Sequence, residues 1–214
     1  QLNFYTIIRM KLLNQTAIVT GSSSGIGRAI AVAFGQEGAN VVVNYNSSRE
    51  KALEVVKQIK AVGGKAIAVK ANVGKESDVI RLFEKTVAAF GRVDILVANS
   101  GIQDDSSFLK MTLEQWNNVI NINLTGQFLS AREAAKHFVA QVEGKTPDRA
   151  IGKIICMSSV HDMIPWAGHV NYAASKGGVL MFMKSIAQEL APLKIRVNAI
   201  SPGAIQTPIN KSVW

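Results

Sequence analysis

The run Thr16-Ala17-Ile18-Val19-Thr20-Gly21-Ser22-Ser23-Ser24-Gly25-Ile26-Gly27-Arg28-Ala29-Ile30-Ala31-Val32-Ala33-Phe34 orders the rest of the chain around it. Its first five residues are apolar or β-branched and predict a short buried strand. Gly21 to Gly27 form a glycine-rich turn, and Arg28 to Phe34 continue into a helical pattern. Glycine reaches backbone torsions that other residues avoid and lets another group approach the chain closely. A helix N-terminus offers free N–H groups and the positive end of a dipole, which suits a pyrophosphate. Gly21, Ser23, Ser24, Gly25, Ile26 and Gly27 are therefore candidate phosphate-cradling residues. The spacing is G-x-x-x-G-x-G, not the G-x-G-x-x-G of the commonest dinucleotide fingerprint. The plain alternative is a flexible Gly/Ser loop; its placement between an apolar strand and an apolar helix argues against that.

Outward from this turn, the pattern alternates. Apolar strands are predicted near residues 16–20, 40–44, 66–70, 93–98, 151–158 and 195–200, with helices near 25–37, 48–62, 76–90, 112–142 and 170–191. Continuous apolar strands alternating with helices predict an α/β fold, a parallel sheet covered on both faces. Right-handed crossovers favour a doubly wound, Rossmann-type sheet in the order 3-2-1-4-5-6. The binding crevice then lies at the carboxyl ends of the strands, and the glycine turn, Asn99, Ser159 and Pro202 all fall just after predicted strands. Gly144-Lys145-Thr146-Pro147-Asp148 reads as a surface turn.

Composition narrows the function. The chain has 214 residues, enough for one α/β domain, and 48% are apolar. The single cysteine, Cys156, lies in the strand-like run Lys153-Ile154-Ile155-Cys156-Met157. A packed, reduced thiol is expected there, which suits a cytoplasmic enzyme. No apolar run reaches the ~18 residues of a membrane span. The net charge is +9, but Lys51, Lys57, Lys60, Lys65, Lys70 and Lys75 are scattered and no nucleic-acid motif accompanies them. Nucleic-acid binding is therefore not expected. His137, His161 and His169 have no metal-ligand spacing, so no catalytic metal is expected.

Tyr172 and Lys176 are four residues apart, with Ser159 thirteen positions upstream of Tyr172. A phenol is a poor acid near neutral pH, with a reference pKa of about 10. Four residues is about one helical turn, which puts Lys176 on the face of Tyr172. An ammonium there is expected to lower the phenol pKa, so that Tyr172 gives a proton to a carbonyl oxygen or takes one from an alcohol. Ser159 is placed to hydrogen-bond the same oxygen. Tyr-x-x-x-Lys alone is a weak signal, because such pairs are common on ordinary helix surfaces.

Together these features resemble the short-chain dehydrogenase/reductase family, over residues 11–209. Thr20-Gly21-Ser22-Ser23-Ser24-Gly25-Ile26-Gly27 is similar to the family's cofactor turn. Asn99-Ser100-Gly101 is similar to its Asn-Asn-Ala-Gly segment, with Ala98 and Ser100 as departures. Asn123 falls where the family keeps a catalytic asparagine, and Ser159, Tyr172 and Lys176 match the other three catalytic positions. Ser201-Pro202-Gly203, Ile205 and Thr207 match the segment that closes over the nicotinamide. Met157-Ser158-Ser159-Val160-His161-Asp162-Met163-Ile164-Pro165-Trp166, Val41-Val42-Val43-Asn44-Tyr45 and Gly203-Ala204-Ile205-Gln206-Thr207-Pro208-Ile209-Asn210 look similar to bacterial glucose 1-dehydrogenases. The 3-oxoacyl-carrier-protein reductases share much of this scaffold.

The resemblance implies hydride transfer between NAD or NADP and a small sugar or secondary alcohol, glucose first, with a 3-oxoacyl thioester reductase or a cofactor-binding but inactive fragment as alternatives. It also implies that Lys176 holds the nicotinamide ribose, that Asn123 fixes a water linking Lys176 to solvent, and that the protein is a homo-oligomer, a tetramer. The end of the second strand reports on the cofactor: Tyr45, Asn46, Ser47, Ser48 and Arg49 include no acid to repel a 2′-phosphate, so NADP is expected to be accepted alongside NAD. Asn72, beside Val73, stands where the family commonly has an Asp near the adenine. Gln103, His161 and Trp166 are candidate substrate residues, with Asp104 and His169 nearby. Residues 1–10 read as a non-native extension, and Met10-Lys11-Leu12-Leu13 as a more natural start. Residues 11–214 read as one NAD(P)-binding domain truncated before its last strand and substrate lid.

Overall fold

Val19, Val43 and Val97 sit side by side on three neighbouring strands, all fully buried. They belong to β1 (Thr16–Val19), β2 (Asn40–Tyr45) and β4 (Ile95–Ala98), which join β3 (Lys65–Lys70), β5 (Gly152–Met157) and β6 (Ile195–Ile200) in one six-stranded sheet. Every pairing is parallel, and the order is β3-β2-β1-β4-β5-β6, as the alternation predicts. The computed structural model describes residues 10–144 and 147–207. The expectations for residues 1–9, Lys145, Thr146, Pro208, Ile209 and Asn210 lie outside the described residues.

The strands read as unbroken apolar runs because both faces of the sheet are covered. Ile18, Val42, Leu96 and Ile154 point to one face. There they meet Val79, Leu82 and Phe83 of α3 (Glu76–Phe90), Ala134 and Phe138 of α5 (Gly126–Ala140) and Val179 of α6 (Val170–Leu190). Ala17, Val19, Val41, Val43 and Val97 point to the other face. They pack on Ala31 of α1 (Gly25–Gln36) and on Ala52, Val55 and Ile59 of α2 (Arg49–Ala61). Phe83 and Phe138, fully buried, each contribute about 2 kcal/mol by leaving water.

One element departs from the pattern. Residues 112–142 predict a single helix, but the structure has α4 (Leu113–Ile120), a π-helical turn (Asn121–Thr125) and then α5. Thr112 opens α4 with a capping box, accepting from the Gln115 amide at 3.1 Å. The wider turn carries Asn123, fully buried, into contacts with two other segments. Short 3₁₀ turns lie at Phe108–Lys110, Val160–Asp162 and Ala191–Leu193.

Candidate active site

The glycine turn is laced to its neighbours by two asparagines. Asn44, buried on β2, accepts from the Gly21 amide at 3.0 Å and donates to the Ala71 carbonyl at 3.1 Å. Asn99 donates through Nδ2 to the Thr20 carbonyl at 2.8 Å, and its backbone amide donates to the Thr20 hydroxyl at 2.9 Å. Gly21 has φ +61°, a left-handed conformation that favours glycine. A Cβ on Gly27 would lie 2.5 Å from Asn99 Nδ2 and 2.8 Å from the Gly21 carbonyl, so only glycine fits. Ser24 caps α1 without a side-chain hydrogen bond, and no acid lies in the first turn. The free N–H groups therefore face the turn without a carboxylate competitor. Chemically, this cradle fits the pyrophosphate of a dinucleotide.

From the turn a cleft of about 760 Å3 runs along the carboxyl ends of the strands. One end is lined by Gly21, Ser23, Ser24, Gly25 and Ile26, with Tyr45, Asn46 and Ser47 beside them. Asn72, Val73, Asn99 and Gly101 line its middle. Ser159, Tyr172 and Lys176 stand at the far end with Pro202, Gly203, Ile205 and Thr207. Gln103, His161 and Trp166 complete that end. Two of the expected residues do not line the cleft: Gly27 and Asn123 lie behind it, both buried. Asn72 spends its side-chain oxygen on the Gly74 amide, at 2.9 Å.

Ser159 and Tyr172 line the same end of the cleft, and the Ser159 hydroxyl favours the ionised phenol. Lys176, 3% exposed, donates from Nζ to the Met157 carbonyl at 2.8 Å and lies 5.5 Å from the centre of the Tyr172 ring. The electrostatics overturn one expectation. The Tyr172 pKa is pushed up, not down: burial is the main cause, the Ser159 hydroxyl works against it, and the Asp105 carboxylate adds to it. Burial also pulls Lys176 down to about 8, against the opposing pull of Asp162 and Cys156. Both groups lose water together, and the ammonium gives its hydrogen bond to the Met157 carbonyl.

Asn123 braces the site from behind. Its Oδ1 accepts from the Ile102 amide at 2.8 Å, and its Nδ2 donates to the Ile102 carbonyl at 3.0 Å and to Ser175 Oγ at 3.1 Å. Its side chain thus ties the loop after β4 to α6. Gly101 sits between Asn123 and Lys176: a Cβ there would lie 3.5 Å from Asn123 Oδ1 and 3.6 Å from Lys176 Nζ.

At the outer end three rings stack. His161 and Trp166 are 4.4 Å apart and Trp166 and His169 3.5 Å apart, centre to centre. His169 Nδ1 lies 2.6 Å from Asp105 Oδ1, and His161 Nδ1 lies 2.9 Å from the Ile164 carbonyl. Asp104 is occupied structurally: its side chain accepts from Gln115 at 3.0 Å and its carbonyl from Asn171 at 2.8 Å.

Sequence reading missed Asn44, Asp105 and Asp162. Asn44 carries a readable signal, an amide directly after three buried valines; the two aspartates act through partners far along the chain. Cys156 is buried in β5 and burial pushes its thiol up to about 12. No group of three His, Cys, Asp or Glu side chains among the described residues is placed to hold a metal ion. No helix among the described residues is long and apolar enough to cross a membrane.

The short chain dehydrogenase profile matches residues 15–214. The chain is 49% identical to 3beta-hydroxysteroid dehydrogenase 1 of Eggerthella lenta, over 93% of this chain and 74% of that protein. It is 44% identical to glucose 1-dehydrogenase 2 of Bacillus subtilis, over 93% and 75%. It is 43% identical to the 3-oxoacyl-[acyl-carrier-protein] reductase of Synechocystis, over 94% and 78%. Among solved structures, a short-chain type dehydrogenase/reductase from Mycobacterium marinum superposes with TM-score 0.88 at 34% identity, covering 96% of this chain and 78% of that one. A short chain dehydrogenase from Burkholderia cenocepacia in complex with NADP gives 0.86 at 33%, covering 95% and 79%. The matched profile, the shared sheet and these identities make the chain an oxidoreductase of the short-chain dehydrogenase/reductase family, whose members bind NAD(P).

Proposed function

We propose that this protein moves a hydride between NADP or NAD and a small sugar or secondary alcohol, in the manner of a glucose 1-dehydrogenase. The observation that carries this reading is the grouping of Ser159, Tyr172 and buried Lys176 at the end of a cleft that begins in the glycine turn. The bound nicotinamide supplies or accepts the hydride. Ser159 holds the substrate oxygen through its hydroxyl. Tyr172 donates its proton to a carbonyl oxygen in reduction and receives the alcohol proton in oxidation. Lys176 keeps a positive charge beside the pair, and Asn123 fixes the loop that carries Gly101. No acid ends β2 at Tyr45, Asn46 and Ser47, so a 2′-phosphate meets no fixed negative charge there.

A second reading, a hydroxysteroid substrate, rests on a different observation. The loops flanking the cleft meet where the Ser106 amide donates to the Gly168 carbonyl at 3.1 Å. Phe108, Leu109, Met163 and Ile164, near that junction in sequence, are all exposed, Leu109 at 94%. Such apolar side chains suit a flat hydrocarbon ring better than a sugar. The test follows cofactor absorbance with D-glucose, a 3β-hydroxysteroid and a 3-oxoacyl thioester in turn, each with NADP(H) and NAD(H). Turnover of glucose supports the leading reading; turnover of the steroid or thioester alone replaces it; no turnover with any of them leaves a binding protein.

We further propose that the protein is a cytoplasmic homo-oligomer, a tetramer. A mostly apolar groove between α5 and α6, lined by Phe128, Val139, Phe182 and Leu193, offers a face for a second copy. Arg132 and Lys136 on this groove stand with Glu143 and Glu189, so two copies related by a dyad have charges of both signs to pair.

A further inference from the structure

Asp162 lies three residues after Ser159, in the 3₁₀ turn Val160–Asp162 that leaves β5. Its Oδ2 accepts from Ser201 Oγ at 2.6 Å. Ser201 opens the Ser201-Pro202-Gly203 loop that follows β6. A second bond runs parallel to the first: the Val160 amide donates to the Pro202 carbonyl at 3.0 Å. The turn packs against α6 beside Lys176: a Cβ on the adjacent Gly177 would lie 3.6 Å from the Asp162 carbonyl oxygen, and the carboxylate's charge favours the charged form of the buried ammonium.

The other groups around Lys176 supply no counter-charge near neutral pH. From β5 come the Met157 carbonyl and the Cys156 thiol, which stays protonated below about 12. From α6 comes Tyr172, itself held protonated by burial and by Asp105. The loop after β4 and the π-helical turn contribute Gly101 and Asn123, neither ionisable. A buried ammonium without a negative partner loses its proton readily.

We propose that Asp162 is a positioning residue with two tasks: its charge keeps Lys176 protonated, and its hydrogen bond to Ser201 fastens the loop carrying Pro202 and Gly203 to the turn carrying Ser159. The proposal rests on the catalytic assignment of Lys176 made above. One carboxylate thereby links the state of the buried cation to the position of the loop over the far end of the cleft.

The two tasks separate in two variants of the full chain. Asp162→Asn removes the charge and keeps an acceptor for Ser201. Ser201→Ala removes the tether and keeps the charge. The first readout is the pH titration of the Lys176 side-chain carbon signal by NMR, assigned by its absence in Lys176→Met. The second is hydrogen exchange at the Val160 amide. Neither needs cofactor or turnover. Asp162→Asn is expected to move the Lys176 midpoint down by about one pH unit, from about 8, and to leave Val160 exchange unchanged. Ser201→Ala is expected to leave the midpoint in place and speed Val160 exchange about fivefold. Asp162→Ser, also neutral, repeats the midpoint shift should the Asn variant fold poorly. An unmoved midpoint in both neutral variants overturns the charge task, and unmoved Val160 exchange in Ser201→Ala overturns the tether. NADPH and NADH fluorescence titrations run alongside: failure of the wild type to bind either one condemns the oxidoreductase reading, while the NMR results still decide the proposal.

Discussion

Lys176 Nζ sits 5.5 Å from the centre of the Tyr172 ring, with its hydrogen bond spent on the Met157 carbonyl. Burial, not the neighbouring cation, dominates the phenol, which keeps its proton. In the mechanism proposed above, this protonated form is the one that donates to a carbonyl oxygen.

That state fixes a pH dependence. Tyr172 must be protonated to reduce and ionised to oxidise. Its raised pKa means alcohol oxidation should climb roughly tenfold per pH unit through the neutral range. Carbonyl reduction should stay flat there and fall as Lys176 loses its proton near pH 8. Rates measured in both directions between neutral and alkaline pH check this; an oxidation rate already level at neutral pH would contradict it.

Burial of Lys176 costs stability in the cofactor-free protein. A fall from 10.5 to about 8 amounts to about 3 kcal/mol. Below pH 8 the folded and unfolded states both carry the proton, and the full cost applies. Between 8 and 10.5 the folded side chain gives up its proton first, so stability rises with pH and the cost disappears above that window. Lys176→Met should therefore be more stable at neutral pH, by about 2 kcal/mol after loss of the Met157 hydrogen bond. The difference should close across that window. Denaturant unfolding at several pH values measures it, and a variant no more stable than wild type at neutral pH would refute the account.

Trp166 is the middle ring of the His161–Trp166–His169 stack at the outer end of the cleft. Trp166→Ala removes a platform for the substrate but leaves the proton-transfer groups in place. KM for the preferred substrate should rise about tenfold with kcat changed far less. Steady-state kinetics decide it, and an unchanged KM would remove Trp166 from the substrate wall.

Gly27→Ala puts a methyl group against Asn99 Nδ2 and the Gly21 carbonyl. The turn must shift, because one of those neighbours is backbone. NADPH affinity, read by fluorescence titration, should fall about tenfold or more. Affinity within twofold of wild type would show that the turn does not hold the phosphates.

Much of this was legible in the sequence, for physical reasons. Strands buried on both faces, such as Val41-Val42-Val43, are apolar throughout, which points to parallel pairing, and right-handed crossovers between them give the sheet order. Tyr172 and Lys176 are one helical turn apart, so their proximity follows from spacing. The π-helical turn at Asn121–Thr125 was not legible, because one residue added to a helix barely disturbs its apolar period. Asp162–Ser201 and Asp105–His169 join residues distant in the chain by no spacing rule. The Tyr172 shift was read with the wrong sign because spacing reports proximity but not burial.

Tyr172 is assigned the proton in NAD(P)-linked hydride transfer, and a comparison of wild type with Tyr172→Phe decides it, following cofactor absorbance at saturating cofactor and substrate together with NADPH fluorescence titration. The variant should lose roughly a thousandfold in kcat while its NADPH affinity stays within about twofold. Turnover within tenfold of wild type would contradict the account and move the proton to another group.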